Sequence, residues 1–172
     1  GHYVEVTGSN KASDCAVCPQ GSITNTGTSA GASICTKCAI GKYSTASNVA
    51  ACIACPAGKH AANDGSATCA VCDAGEYQDG DGQGYCKACL AGSKTDTGAS
   101  AGATTCTACD AGKYSKASNV PSCSDCDAGS ITNTGTSTGA TTCTVCAVGK
   151  YSTASNVAAC TSCAAGHYVE VT

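Results

Sequence analysis

Residues 38–55 read CAIGKYSTASNVAACIAC, from Cys38 to Cys55, and this stretch decides the fold. It ends on a Cys-x-x-Cys pair and opens on the last cysteine of another, with Gly41 three residues after it. Variants recur at 109–126 and 146–163. The pair itself recurs nine times, beginning at Cys15, Cys35, Cys52, Cys69, Cys86, Cys106, Cys123, Cys143 and Cys160. Successive pairs start 17 or 20 residues apart. Each is followed by a glycine: Gly21, Gly41, Gly58, Gly75, Gly92, Gly112, Gly129, Gly149 and Gly166. A fixed period of this size is the signature of a linear array in which each small unit rests on its neighbours alone.

The side chains of this array cannot form an ordinary core. The hydrophobic fraction is 42%, but Ala, Val and Cys carry most of it; Leu occurs only at Leu90, and Phe, Trp and Met are absent. So few large apolar groups bury too little area to offset chain entropy. Cysteine changes the outcome. At 18 of 172 residues it marks a disulfide scaffold, and each closed loop of about 15 residues contributes roughly 3 kcal/mol by constraining the unfolded chain. Disulfides at this density point to an oxidising compartment, extracellular or at the cell surface. The net charge of −3, the absence of Arg and the scatter of nine Lys leave no basic stripe for nucleic acid. No apolar run reaches membrane-spanning length.

Residues 1–7 and 166–172 carry the same heptapeptide, offset by 165 residues, and the eight spacings between pairs close on that same length if a ninth of 20 residues follows Cys160. Residues 1–172 are therefore expected to be one continuous tandem array, about one period of a longer one. A second duplication lies inside the period: 28 of 35 positions match between Gly21–Cys55 and Gly129–Cys163.

The glycine after each pair suggests a turn or bulge with φ > 0, or a close backbone approach. The Ala-Ser-Asn-Val run at 46–49 supplies a second turn. Strands of three to five residues are expected between turns, with almost no helix. The fold class is thus small, disulfide-rich and irregular with short β-structure, a solenoid-like rod of nine units. Tyr43, Tyr77, Tyr114, Tyr151 and Tyr168 stand two residues after a repeated glycine. They are expected to act as packing spacers, ring over a disulfide and hydroxyl to water. The long unit adds three residues in a Thr/Ser/Gly loop that should project as a hairpin tip.

Three chemistries use Cys-x-x-Cys. In a disulfide ladder the second cysteine of each pair joins the first of the next. That gives Cys18–Cys35, Cys38–Cys52, Cys55–Cys69, Cys72–Cys86, Cys89–Cys106, Cys109–Cys123, Cys126–Cys143 and Cys146–Cys160. Cys15 and Cys163 would then pair with neighbouring periods. Spacing alone does not fix the connectivity, and a ladder that skips a unit stays open at this point. Zinc is the second chemistry, with two pairs supplying four thiolates to one ion, but nine pairs leave one without a partner. Thioredoxin-like redox chemistry needs a βαβ setting that is not evident.

The run Cys-x-x-Cys-x-Ala-Gly-Lys-Tyr-Ser-x-Ala-Ser-Asn-Val-x-x-Cys-x-x-Cys resembles the cysteine-rich repeats of ciliate surface immobilisation antigens. It also resembles the broader ephrin-receptor and tumour-necrosis-factor-receptor-like repeat, whose Pro form stands at Cys55-Pro56-Ala57-Gly58 and Cys18-Pro19-Gln20-Gly21. The resemblance implies an elongated surface or secreted protein with forward-linked disulfides.

Thr24, Thr26, Thr28, Thr95, Thr97, Thr132, Thr134, Thr136 and Thr138 are candidates for O-glycosylation by composition. The bland alternative is that Thr simply favours short strands. Asp79-Gly80-Asp81-Gly82 is closer to a polar turn than to a calcium loop, since it lacks the EF-hand spacing and closing Glu. His2, His60 and His167 read as surface residues, and no nucleophile–base set or carboxylate pair stands out, so neither an enzyme nor a cofactor is expected. The expected function is structural: a rod, coat or fibre whose partner is itself, head-to-tail or as a longer chain, with covalent glycans. The alternatives are a receptor-like or surface-antigen ectodomain gripping a protein ligand, for which the acidic unit at 73–86 is the place to look, and a zinc-binding array.

Overall fold

A chain with a glycine before each short run and a cysteine after it can only turn back on itself within one repeat, and it does so throughout. The computed structural model describes residues 2–5, 7–8, 11–46, 49, 51–153, 157 and 159–168. The chain folds as two units, Gly1–Cys72 with Gln78–Cys86, and Asp73–Tyr77 with Lys87–Thr172. In the first, β1 (His2–Tyr3) pairs with β2 (Ala16–Val17) and β3 (Ser22–Thr24) with β4 (Cys35–Lys37). There too β5 (Lys42–Tyr43) pairs with β6 (Ile53–Ala54) and β7 (Lys59–His60) with β8 (Ala70–Val71). In the second, β9 (Glu76–Tyr77) pairs with β10 (Lys87–Ala88) and β11 (Ser93–Thr95) with β12 (Cys106–Ala108). Then β13 (Lys113–Tyr114) pairs with β14 (Ser124–Asp125), β15 (Ser130–Thr132) with β16 (Cys143–Val145), and β17 (Lys150–Tyr151) with β18 (Thr161–Ser162). All nine pairs are antiparallel hairpins, and the one helical segment among the described residues is the 3-10 turn Ala12–Asp14. The strands are two or three residues long, shorter than the expected three to five, and the long repeats own the three-residue ones.

Each hairpin is closed at its base by its own repeat. The N–H of the cysteine after the second strand donates to the carbonyl of the repeated glycine, Cys38 to Gly21 (2.8 Å), Cys55 to Gly41 (2.9 Å) and Cys109 to Gly92 (2.8 Å) among them. These glycines have φ near +80°, for example +79° at Gly21 and +81° at Gly41, which favours a residue without Cβ. Asparagine takes the same left-handed region at one hairpin tip, Asn119, with φ +64°. That is the turn of the Ala-Ser-Asn-Val run; its copies at 46–49 and 154–157 fall partly outside the described residues.

Within each unit the hairpins interlock beyond nearest neighbours. The glycine N–H donates one hairpin ahead: Gly21 to Ser44 (2.8 Å), Gly41 to Ala61 (2.8 Å), Gly92 to Ser115 (2.8 Å) and Gly129 to Ser152 (2.9 Å). The tip N–H donates two hairpins back: Gly65 to Cys38 (2.7 Å), Gly82 to Cys55 (2.7 Å), Asn119 to Cys89 (2.8 Å) and Gly139 to Cys109 (2.8 Å). The expectation that units touch only their neighbours is therefore corrected. Two-residue strands leave the loop backbone without a sheet partner, and the next turn of the stack satisfies it.

The buried residues differ from those expected. The second cysteine of each pair is buried from Cys18 through Cys126, and so is the residue three after the repeated glycine: Thr24, Ser44, Ala61, Gln78, Thr95, Ser115, Thr132 and Ser152. Tyr43, Tyr77 and Tyr114 are only half-buried, while Tyr151 and Tyr168 are 38% and 78% exposed. Adjacent residues on an extended strand point to opposite faces, so the tyrosines cannot share the inward face with their small neighbours. The packing spacer is the small polar residue, not the tyrosine. Its polar atoms are satisfied locally, as Ser44 Oγ on the Ala46 carbonyl (2.7 Å) and Gln78 Nε2 on the Tyr85 carbonyl (2.6 Å).

Candidate functional site

Two features could carry function: the cysteines, which set how the chain is joined, and the outward loops, which meet whatever lies outside. The structure brings together Cys18 with Cys35, Cys38 with Cys52, Cys55 with Cys69, and Cys72 with Cys86. It also joins Cys89 with Cys106, Cys109 with Cys123, Cys126 with Cys143, and Cys146 with Cys160. The Cα separations span 5.5–5.8 Å, within the usual disulfide range. Each bond closes one hairpin loop and ties it to the end of the preceding one. Cys15 and Cys163 carry free thiols, the first exposed and the second half-buried.

The only grouping of metal-ligand residue types among the described residues is His60, Cys72 and Cys86, with ligand atoms within 4.8 Å. Cys72 and Cys86 are bonded to each other, and His60 Nδ1 lies 3.1 Å from Cys86 Sγ. A disulfide sulfur is not a thiolate and makes a poor metal ligand, so this is a ring seated against a cross-link. His60 is therefore half-buried rather than the surface residue expected from its isolation in sequence.

The acidic repeat is a turn with a structural task. Asp81 Oδ1 accepts from the Ala57 N–H (2.9 Å), while Gly82 reaches the Cys55 carbonyl. One hairpin earlier, Asp64 Oδ1 accepts from the Ile40 N–H (3.0 Å) and Gly65 reaches Cys38. Each Asp-Gly thus docks a hairpin tip two repeats back with side chain and backbone together. The signal for this role was the Asp-Gly dipeptide at a constant offset from the earlier pair, and sequence reasoning passed over it.

The long-repeat loops are held by hydrogen bonds of their own. Thr24 Oγ1 donates to the Gly27 carbonyl (2.6 Å), Thr95 to Gly98 (2.7 Å) and Thr132 to Gly135 (2.9 Å). All three threonines are buried, at 2%, 1% and 1% exposure. A sugar on any of them would require the side chain to leave the fold. Thr26 and Thr134 are half-buried, with hydroxyls on Ser29 and Ser137 carbonyls. Thr28, Thr136 and Thr138 are exposed, as is Thr97, whose hydroxyl donates to the Ser100 carbonyl (2.7 Å).

A side chain clamps each loop across its mouth. Asn25 Oδ1 accepts from the Ser33 N–H, Asp96 Oδ1 from Thr104 and Asn133 Oδ1 from Thr141, each at 3.1 Å. For Asp96 burial opposes the charge, but hydrogen bonds from the Thr104 hydroxyl and the Thr105 and Thr104 backbone outweigh it, and its pKa lies below the ordinary value. A depressed carboxyl pKa adds stability that is present above the unfolded value and lost as pH falls through the folded one. Acidification below about pH 4 is therefore expected to lower the protection of the Thr104 amide, its exchange taken relative to that of an unstructured amide at the same pH. In Asp96→Asn, which copies the clamp of the other two loops, exchange at Thr104 should lose that acid dependence. Equal acid dependence in both proteins would show that the carboxylate is not the clamp.

A family model described as tyrosine-protein kinase ephrin type A/B receptor-like matches residues 27–66 and 58–104. Those repeats are similar to a cysteine-rich repeat family, in agreement with one of the two resemblances read from the sequence. The likeness to ciliate antigens has no corresponding match, and no curated protein sequence matches the chain. The matched repeats and the disulfide ladder fit an extracellular repeat protein. Among the described residues, no helix is long and apolar enough to cross a membrane.

Proposed function

We propose that this chain is a non-catalytic extracellular structural protein, a segment of a rod, surface coat or fibre whose length comes from copy number, carrying O-linked sugar on its exposed threonines. One observation carries the reading: within each of the two units the same joint recurs from hairpin to hairpin. In it a forward disulfide is combined with one hydrogen bond to the next hairpin and one from the tip two ahead. An array interlocked over three successive hairpins resists bending more than beads linked end to end. The exposed loop hydroxyls of Thr28, Thr97, Thr136 and Thr138 are where sugar fits without disturbing that joint.

The test is solution scattering of the oxidised native protein with fragment-level glycopeptide mapping. An extended scattering profile and hexose-class additions on those four threonines are expected. A globular profile would sink the rod, and sugar on buried Thr24, Thr95 or Thr132 would sink the site assignment. A second reading, a receptor-like ectodomain that grips a protein ligand, draws on the family match over 58–104, which includes the acidic repeat and its 61% exposed Tyr85. It predicts a saturable protein partner whose affinity falls on Tyr85→Ala, whereas the structural reading predicts no change.

A further inference from the structure

Two residues after the repeated glycine most repeats place Ile, Tyr or Lys, but the repeat at Gly58 places His60. Imidazole is the side chain that both takes up and gives a proton near neutral pH. The fold seats this one on a cross-link: Nδ1 lies 3.1 Å from Cys86 Sγ, and the donor atoms of His60, Cys72 and Cys86 are within 4.8 Å of one another. A disulfide sulfur carries no proton, so a hydrogen bond here is one the ring donates. Backbone bonds on both sides of the ring hold it in place. The Gly58 N–H donates to the Gln78 carbonyl (2.8 Å) and the Ala61 N–H to the Gln83 carbonyl (3.1 Å), which ties the strand of His60 to the segment that ends at Cys86. The Cys72 N–H donates to the Gly58 carbonyl (3.0 Å) and ties the other sulfur's residue to the same strand. Lys94, at the same place in a later repeat, faces the Asp110 carboxylate instead (3.8 Å).

In burial the cross-links are otherwise alike. The first cysteine of a pair, the outer sulfur of each bond, is half-buried in all eight. The inner sulfur is buried in every one but Cys146–Cys160. An external thiol therefore meets the outer sulfur first at each rung. Attack there expels the inner cysteine as a thiolate, and a thiolate without water or a proton donor is costly in a buried place. That cost protects the ladder, and at Cys72, with 0% exposure, His60 removes it. We propose that Cys86 is a reversible covalent attachment site for a small thiol of the glutathione class, with His60 as the proton donor that opens the Cys72–Cys86 bond.

The step needs no other reagent. The incoming thiol loses its proton, and its sulfur bonds to Cys86 Sγ. The Cys72–Cys86 bond breaks, and its electron pair goes to Cys72 Sγ. That sulfur takes the proton of His60 Nδ1, and the proton lost by the incoming thiol restores the ring. One thiol and one disulfide become one mixed disulfide and one thiol, the ordinary course of thiol–disulfide exchange. The hydrogen bonds from Gly58 and Ala61 to the far segment do not involve sulfur, so the hairpin stays docked and Cys72 can close the bond again.

The test uses the oxidised 172-residue chain with its free thiols, Cys15 and Cys163, first alkylated. It is exposed briefly to reduced glutathione and quenched in acid, new thiols are alkylated, and glutathione on each cysteine is followed over time by peptide mass spectrometry. Glutathione is expected on Cys86 at least about tenfold faster than on Cys52, Cys69 or Cys106, with the alkyl label on Cys72. His60→Tyr, which copies Tyr43 and Tyr77 of the adjoining repeats, should bring Cys86 down to the rate of the others. His60→Gln, which keeps a hydrogen-bond donor but gives up no proton, should slow it as well. A ring that only packs against the bond would act in the opposite sense, because a loosened cross-link opens faster. Equal rates at all the outer cysteines, glutathione mainly on Cys72, or either variant reacting as fast as the parent or faster would overturn the proposal.

Discussion

Full reduction by a dithiol at neutral pH is expected to unfold the chain throughout, with loss of the hairpins and a large rise in hydrodynamic radius. The disulfides enclose sequence separations of 14 or 17 residues, and loops of this size are worth roughly 3 kcal/mol each. Eight of them exceed the roughly 5–15 kcal/mol of net stability that a folded domain holds. The remaining structure cannot make up the loss. Its strands are two or three residues long, and its buried side chains are Cys, Ala, Ser, Thr and one Gln. Isolated hairpins of that length are unstable in water. Circular dichroism and size-exclusion chromatography before and after reduction and alkylation read the outcome. A reduced chain that keeps its radius and amide protection would mean that the interlocking hydrogen bonds hold the fold by themselves.

Gly41→Ala should be far more damaging than Gly98→Ala, although both glycines have positive φ, +81° and +62°. Each substitution carries the left-handed penalty of roughly 1–2 kcal/mol for a residue with Cβ. At Gly98 the added methyl meets open space. At Gly41 it would overlap the backbone carbonyl of Gly82, which cannot rotate away as a side chain could. To make room, the Gly82 tip must withdraw from the Cys55 carbonyl, and the Asp81 clamp on Ala57 goes with it. Together these add about 2–4 kcal/mol of local destabilisation from lost hydrogen bonds, one of them to a carboxylate. Hydrogen exchange at the Gly82 and Ala57 amides should therefore accelerate strongly in Gly41→Ala and stay near the parent rate in Gly98→Ala. Matching rates in the two variants would mean that the tip can shift at little cost.

Much of this was legible in the sequence because it is local. A cysteine three residues before a glycine, repeated every 17 or 20 residues, constrains a hairpin base whichever way the stack turns. The left-handed glycines followed from their position after each pair, as did the near absence of helix. The burial of Thr24, Thr95 and Thr132 was not legible, for the opposite reason. Alternating threonines look alike along the chain, but only Thr24 lies on a strand: it turns inward at the end of β3, while Thr28 stands in the tip turn and meets solvent. The tyrosines were misjudged as spacers by a one-residue ambiguity, since nothing in a repeat says which of two adjacent positions faces the stack.

By itself, then, the sequence determined the repeat, its cross-linking density and its dependence on an oxidising setting, because those follow from residue type and spacing within one unit. Only the tertiary structure decided the inward face, the docking of Asp64 and Asp81, and the contact of Gly41 with Gly82 two repeats on. Those contacts depend on how far each hairpin rotates and rises relative to the last. That rotation is set by many small hydrogen bonds acting together, and no single motif encodes it.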